Sequence, residues 1–479
     1  MPYLPTGLSY IAAVLEQEGH EVAVINPDSM PPSTVKASIN ANWEENLLGE
    51  GFYVWKLLEE FLVANPFDVV GISVMMSQFP SALRLARIAK SVNPHAVIVF
   101  GGIGVTVKPE LAFSEEGVVD YVVRGEGEHT FRDLLKTLQE GGNVAGVRGV
   151  SFIKEGTLHH NPDATLLPDI ASLPHPAKHL YRTIVKGQSI PPIAYGRLFF
   201  ARGCPFQCTY CDSNKLWTRK VRYPTAEYVV EQIRRVRDEY GTRLFVFDDD
   251  NFFLHPKLCN EILDQMISAD LGISWRCEVR ANTVNLDLLK KMKRAGCCSI
   301  TLGVESGSDE ILKKIKKGIT RDQTVAAARL IKEAGILLNA FFIFGFPWEN
   351  ENHFRETLAL FHEIEPDGEV GGVCSFLIPY PGTQIYEEIK QMGLLPALPS
   401  HHFHHHNDSI KITPHISTER YFQLTEEISR DFNRTNTRKR IKLLLKNPQY
   451  FYLNLQQRNF FALDKLVSLA KLAISGFVK

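Results

Sequence analysis

Short runs rich in Val and Ile alternate with helical stretches in two separate blocks of this 479-residue chain, and that alternation limits its fold more than any other feature. A strand–helix rhythm commits a chain to parallel sheets covered by helices, because each crossover lays its helix on a sheet face. In the first block, strands are expected over 20–25, 68–74, 96–100 and 118–123, with helices over 7–18, 80–92, 109–116 and 129–139. The strand runs are rich in Val and Ile, as strands buried on both faces are. The block reads as a doubly wound, Rossmann-like domain over 1–140, with ligands held at the strand carboxyl ends. It opens on a helix where such a unit opens on a strand. Either the unit begins upstream, or it lacks one strand.

The second block repeats the βα unit six times between Gly196 and Tyr386. Strands are expected over 197–201, 244–247, 274–279, 299–304, 339–344 and 371–377. Helices are expected over 225–239, 256–269, 286–295, 320–334, 350–362 and 383–392, the fourth framed by a Thr320/Gln323 capping box and a Gly335 stop. Six units suit a partial (βα)6 barrel of the TIM type over 191–395, since eight would need about 250 residues. Between the blocks, 141–190 reads as a linker with a hairpin over 147–160, followed by Pro162, Pro168, Pro174 and Pro176. The remainder, 396–479, reads as a mostly helical C-terminal region.

The segment Arg202-Gly203-Cys204-Pro205-Phe206-Gln207-Cys208-Thr209-Tyr210-Cys211 spaces its thiols C-x3-C-x2-C just after the first strand of the second block. Loops there lie at the strand carboxyl face, where barrel active sites form. Eight cysteines in the whole chain are too few for a disulfide framework, so three within eight residues point to metal or redox chemistry. A structural zinc would need a fourth ligand such as Cys297, Cys298 or a histidine. A 4Fe–4S cluster needs no fourth: three thiolates hold three irons and leave the last one open. The other cysteines, Cys259, Cys277, Cys297, Cys298 and Cys374, fall at strand or helix positions and read as small core residues.

This loop, with the aromatic Tyr210 just before its last thiol, resembles the cluster loop of radical S-adenosylmethionine enzymes. The resemblance implies that Cys204, Cys208 and Cys211 bind the cluster and that the open iron takes the amino and carboxylate groups of S-adenosylmethionine. One-electron reduction then yields a 5′-deoxyadenosyl radical. Asp248-Asp249-Asp250-Asn251 is similar to the family's polar stretch near the methionyl amino group, which implicates Asp249 and Asp250. Gly303-Val304-Glu305-Ser306-Gly307 is similar to its ribose and methionine-contact region, which implicates Glu305 and Ser306. Phe344-Gly345-Phe346-Pro347-Trp348-Glu349 is similar to the glycine-bearing motif beside the adenine, with Trp348 where a second glycine is usual. Taken on their own, residues 248–250 have the composition of a helix cap, and Arg280 reads either as a carboxylate clamp or as a solvated surface residue.

Glycine-bearing turns mark the ligand end of the first block. Leu4-Pro5-Thr6-Gly7 opens the first helix, Ser73-Val74-Met75-Met76-Ser77 ends one strand, Gly101-Gly102-Ile103-Gly104 the next, and Arg124-Gly125-Glu126-Gly127-Glu128 the last. Glycine permits positive φ and close backbone approach to a bulky planar ligand. The joint order of these turns resembles the cobalamin-binding domain that precedes the radical barrel in one large subgroup. By that resemblance Thr6, Gly7, Ser73, Gly101, Gly102, Gly125 and Glu126 contact cobalamin. The sequence has no Asp-x-His-x-x-Gly motif, so cobalt is expected without a histidine beneath it. The whole resemblance implies a cobalamin-dependent methyltransferase acting on an unactivated carbon. An anaerobic oxidative cyclase or other radical rearrangement is the alternative within the class. A non-catalytic cobalamin- or redox-sensing protein is the alternative outside it.

Charge narrows the partners. With 53 Lys+Arg against 54 Asp+Glu, the chain does not bind nucleic acid by bulk electrostatics. A small-molecule substrate is expected, apolar or lipid-like in one reading, together with an electron donor such as ferredoxin or flavodoxin. No apolar run approaches the ~18–20 residues of a membrane span, and the opening residues carry no signal pattern, so a cytoplasmic location is expected. The stretch between Asp431 and Asp464 has no acidic residue but holds Arg434, Arg438, Lys439, Arg440, Lys442 and Lys446, interleaved with Phe432, Tyr450, Phe451, Tyr452, Phe460 and Phe461. It reads either as a surface for peripheral contact with an anionic membrane or as packing across the barrel mouth. His401, His402, His404, His405 and His406 read as a solvated loop or a metal site.

Overall fold

The computed structural model describes residues 4–26, 53–184, 189–367, 372–397 and 410–446. The histidine cluster at 401–406 and the tail aromatics from Tyr450 onward lie outside the described residues.

The first unit runs α1 (Thr6–Gln17), β1 (Val24–Ile25), α2 (Tyr53–Ala64), β2 (Val69–Ser73), α3 (Phe79–Val92), β3 (Val97–Gly101), α4 (Ile103–Val107), β4 (Tyr121–Val123) and α5 (Gly127–Gln139). Strands β2, β3 and β4 are parallel neighbours in that order. Successive side chains alternate between faces, so both faces of an apolar strand need cover. Ile98, Phe100 and Val122 pack with Phe79, Leu83 and Ala86 of α3 on one face. Val99 and Val123 pack with Leu134 of α5 on the other. The unit is therefore doubly wound.

Three expectations need correction here. The strand expected over 20–25 forms only as β1, and β1 pairs with β7 (Tyr181–Arg182) outside the main sheet. In a doubly wound sheet of order 2-1-3-4-5 the second strand reaches the sheet only through the first, and among the described residues no strand precedes β1. The helix expected over 109–116 is a 3-10 turn, Pro109–Phe113, while α4 begins directly after Gly102 turns the chain with a φ of 91°. The hairpin assigned to a linker forms as β5 (Val150–Lys154) and β6 (Thr157–His160), but it is part of the sheet: β5 pairs antiparallel with β4. Val150 and Phe152 continue the apolar face that Val99, Val123 and Leu134 begin, and burying them fixes the hairpin there.

The second unit follows with β8 (Arg197–Leu198), α6 (Ser213–Leu216), α7 (Ala226–Tyr240), β9 (Leu244–Phe247), α8 (Pro256–Ser268), β10 (Ser274–Val279), α9 (Leu286–Arg294) and β11 (Cys297–Glu305). It continues with α10 (Asp309–Lys314), α11 (Arg321–Glu333), β12 (Leu337–Phe344), α12 (Glu351–Ile364), β13 (Gly372–Phe376) and α13 (Gln384–Gln391). Strands β8 to β13 form one six-stranded parallel sheet in sequence order, the open arc of a partial barrel. The capping box on α11 is present as expected.

Both edges of this sheet are occupied by side chains from outside it. At β8 the Arg197 carbonyl accepts from Thr6 Oγ1 at 2.9 Å and from the buried Lys178 ammonium at 2.8 Å. At β13 the Asn436 amide accepts from Gly372 N at 3.0 Å and donates to Gly372 O at 2.6 Å. Asn436 lies on α14 (Thr418–Lys446), whose Phe432 stacks on Phe361 at 3.8 Å between ring centroids. The first described turns of the basic tail thus pack on the barrel, and Phe432 belongs to its core. Among the described residues, no helix is long and apolar enough to cross a membrane.

Candidate active site

The cluster loop leaves β8 and is built at a narrow neck. Arg202 and Arg222 exchange both backbone hydrogen bonds, at 3.0 and 2.9 Å. Gly203 follows with a φ of 99°, and a Cβ there would run into the Lys220 carbonyl, so only glycine closes this turn. Farther along, Thr209 donates its N–H to Ile315 O at 3.0 Å and accepts from Ile385 N at 2.9 Å. The loop is thereby laced to α13 and to the end of α10.

All three thiols of the loop are free and half-buried. Burial pushes the Cys204 thiol up, and it pushes Cys211 up to about 12 with added repulsion from Asp250, Asp212 and Cys208. Left alone Cys204 and Cys211 stay protonated; a cationic iron centre would draw thiols into the thiolate form. Arg280 is buried with its guanidinium 3.9 Å from the Phe206 ring centroid and its Nη1 3.7 Å from Cys208 Sγ, so it is no surface residue. Among the described residues no group of three or more His, Cys, Asp or Glu side chains is gathered for a single ion. A cluster requires less convergence, because each thiolate takes a separate iron. A cleft of about 340 Å³ opens beside Cys208 and Cys211.

Carboxylates ring the barrel top next to this loop. Asp249 is buried; its Oδ1 accepts from Phe200 N at 2.9 Å and from Ala201 N, while Oδ2 has no partner. Burial lifts it to about 7. Asp250 accepts from Ser213 Oγ, and Asp248 is paired with Arg197 Nε at 2.6 Å. The following helix starts at Pro256 on a His255 cap, so residues 248–250 are not a helix cap. Glu278, which sequence reasoning passed over, keeps solvent-accessible surface in the open barrel top but is enclosed by the surrounding wall, and that enclosure with the charges of Asp248, Glu305 and Asp250 lifts it to about 7. Glu305 takes a φ of 66° and pairs with Lys317 Nζ at 2.7 Å; the same ammonium reaches Tyr210 Oη at 3.3 Å. A ligand bearing an ammonium and a sulfonium, as S-adenosylmethionine does, meets this excess of negative charge favourably.

Two expected contacts at the barrel top are spent elsewhere. Ser306 Oγ lies 3.2 Å from Thr357 Oγ1 and accepts from Ser308 N, so its hydroxyl serves the turn into α10. At Gly345, with a φ of 90°, the space a Cβ would need is filled by the Tyr421 hydroxyl of α14. Its N–H and that of Phe346 are held by Glu349 Oε2 at 2.6 and 3.0 Å. Trp348 packs against the core with Lys314 5.6 Å from its ring centroid.

In the first unit Gly102 is required by its own turn: a Cβ would stand 2.9 Å from Val74 O and 3.1 Å from Ser73 Oγ. Ser73 itself is exposed at the end of β2, and Gly101 is half-buried beside it. Gly7 and Gly125 have nothing within 4 Å of such a Cβ, which leaves open space at the ends of β4 and α1. These positions fit a bulky planar ligand. Thr6 and Glu126 do not. Thr6 donates to the Arg197 carbonyl at the barrel edge. Glu126 is buried, accepting from Arg222 Nη1 at 2.7 Å, Leu167 N at 2.9 Å and Arg202 Nη1 at 3.3 Å. Its neighbour Glu128 takes Arg202 Nη2 at 2.6 Å. Sequence reasoning missed Arg202, Arg222 and Glu128; the repeated Gly-Glu pair is a faint signal for Glu128 and the arginine before Gly-Cys one for Arg202, while Arg222 has none.

The two units meet where these features lie. Helix α4, which begins at the Gly101-Gly102 turn, packs against α6, which begins two residues after Cys211. The Val107 side chain at the end of α4 fills the space a Cβ at Gly382 would occupy.

Comparison with known proteins agrees with this architecture. Residues 198–361 match the Radical SAM superfamily and residues 2–135 match the B12 binding domain. The chain is 32% identical over 392 residues to the uncharacterized methyltransferase PH0819 of Pyrococcus horikoshii, a match covering 82% of this chain and 79% of the relative. It is 28% identical to the anaerobic magnesium-protoporphyrin IX monomethyl ester cyclase of Rubrivivax gelatinosus, covering 67% of this chain and 58% of the relative. Its fold matches that of the radical S-adenosylmethionine methyltransferase TsrM from Kitasatospora setae with a TM-score of 0.66 at 18% identity, covering 83% of this chain and 77% of the other. With a B12 binding domain ahead of a three-cysteine barrel, the chain belongs to the cobalamin-binding enzymes of the Radical SAM superfamily.

Proposed function

We propose that this enzyme transfers a methyl group to an unactivated carbon of a small-molecule substrate. The observation that carries the reading is the packing of α4 on α6, which sets the glycine turn of the B12 binding domain beside the loop of Cys204, Cys208 and Cys211. A 4Fe–4S cluster, S-adenosylmethionine and cobalamin, when bound, supply the one-electron chemistry and the transferable methyl group that side chains cannot. The chain's own part is placement. Cys204, Cys208 and Cys211 hold three irons, and Arg280 offsets thiolate charge at Cys208. Asp249, Asp250, Glu278 and Glu305 favour the ammonium and sulfonium end of S-adenosylmethionine, and Tyr210 and Lys317 fix the Glu305 carboxylate. Gly7, Ser73, Gly101, Gly102 and Gly125 line the cobalamin side. A one-electron donor such as ferredoxin or flavodoxin completes the system.

Similarity to PH0819, spanning most of both chains, supports methyl transfer; similarity to the Rubrivivax cyclase supports a radical oxidation instead. Anaerobic reconstitution with iron, sulfide and cobalamin, then reductant and S-adenosylmethionine, separates them. Methyl transfer predicts 5′-deoxyadenosine, S-adenosylhomocysteine and, with substrate, a product heavier by one CH2. A cyclase gives deoxyadenosine with a product that has lost hydrogen. Bound cofactors without any cleavage of S-adenosylmethionine would favour a sensor.

A further inference from the structure

We infer that Glu126 and Glu128 are positioning residues for the cluster loop, which the last turn of the B12 binding domain grips at its neck. The inference rests on the reading that this loop holds a cluster and this domain holds cobalamin. Both arginines of the neck are buried, and the carboxylates that meet them come from the N-cap of α5, Glu126, and from its first turn, Glu128. Charge balances within the quartet, two guanidinium groups against two carboxylates, so each buried charge has its counterpart. The Leu167 amide adds a third hydrogen bond to Glu126, and the Leu167 carbonyl accepts from Arg222 Nη1 at 2.9 Å. Arg202 also lies between the rings of Tyr10 on α1 and Trp217, 5.4 and 5.0 Å from their centroids.

Position in the chain gives this quartet its consequence. Arg202 precedes Cys204 by two residues, and the neck it forms with Arg222 is only one backbone pair wide. A shift of the neck is therefore a shift of the first thiol. On the other side of the loop, α4 bears on α6 just beyond Cys211. The domain that carries the cobalamin turns thus holds the cluster loop in front and behind, and the quartet sets the separation of the two cofactors.

The test compares wild type, Glu128→Gln and the charge-balanced pair Glu128→Gln/Arg202→Met, each reconstituted anaerobically with iron, sulfide and aquacobalamin and reduced to cob(II)alamin and the reduced cluster. Spin–spin coupling between the two centres is read by electron paramagnetic resonance, beside iron content and the thermal unfolding midpoint. Positioning predicts that the double variant unfolds within a few degrees of wild type and loads both centres. Its coupling distribution, however, should be at least twice as broad. A wild-type coupling pattern in a loaded double variant would overturn the inference and leave the quartet as packing alone. If the double variant does not fold, Glu128→Asp is measured the same way, with a shifted or broadened coupling expected and an unchanged one fatal. Failure of wild type to load either centre would instead sink the functional reading beneath it.

Discussion

Glu349 is fully buried, gives one carboxylate oxygen to two backbone N–H groups and leaves the other, Oε1, without a partner. Burial lifts its pKa to about 8, so the folded chain holds its proton more tightly than the unfolded chain, where a glutamate titrates near ~4.3. The stability this gives is full below the unfolded value and is lost as pH rises toward about 8. The unfolding midpoint of the cofactor-free protein should therefore fall between pH 6 and pH 8.5 (roughly the upper half of that window). Glu349→Gln keeps the acceptor and removes the charge, and should flatten part of that fall; a slope identical to wild type in a melt series would contradict the assignment. Asp249, lifted to about 7, adds a slope of the same sign that the variant retains. At Gly102 the argument is steric. A φ of 91° and a carbonyl 2.9 Å from the would-be Cβ make Gly102→Ala strained by roughly 1–3 kcal/mol. Affinity for aquacobalamin, followed by visible absorbance, should drop at least tenfold (about 1.4 kcal/mol) while iron loading is unchanged.

Among the elements, α14 makes the clearest energetic statement. Phe432 stacks on Phe361 and meets Phe342 edge-on at 5.4 Å, all within the core behind β12 and β13. Phe432→Ala should cost about 3–5 kcal/mol, the range for losing a buried aromatic, and a urea titration with an unchanged midpoint would show that the helix is not part of the fold. The elements were unevenly legible. The six barrel strands could be read because each is a short apolar run bounded by Gly, Pro or polar residues, and β9 and β10 match residue for residue. Helix α4 was not legible, since it hangs on the single positive φ of Gly102. The placing of β5 and β6 was not legible either, because only the shared face with Val99 and Leu134 distinguishes a sheet edge from a linker. At the site, the cysteine spacing is local and could be read. The partner of Arg202 is 74 residues away at Glu128, and nothing in the local sequence at either end specifies the other.

At the level of the whole molecule, the two units are joined by buried charge as well as by apolar surface. Burial pushes the Glu126 carboxyl up, but the Arg222 hydrogen bond, the Leu167 amide and both guanidinium groups bring it net below its ordinary value. Its contribution to the joint is thus present above the usual carboxylate range and is lost as pH falls through that range. Acid titration of the cofactor-free chain should therefore loosen the junction, seen as earlier protease cleavage between the units, and Glu126→Gln should bring the same cleavage at neutral pH. The borrowed side chains along the barrel's rims have a further meaning. A β-sheet edge with idle N–H and C=O groups recruits strands from other molecules, and proteins guard such edges. Here Thr6 and Lys178 guard one rim and Asn436 the other, and none of the three comes from within the sheet. A barrel excised from its flanking segments would carry two raw edges into solution, so the appended parts act as the barrel's own protection against aggregation.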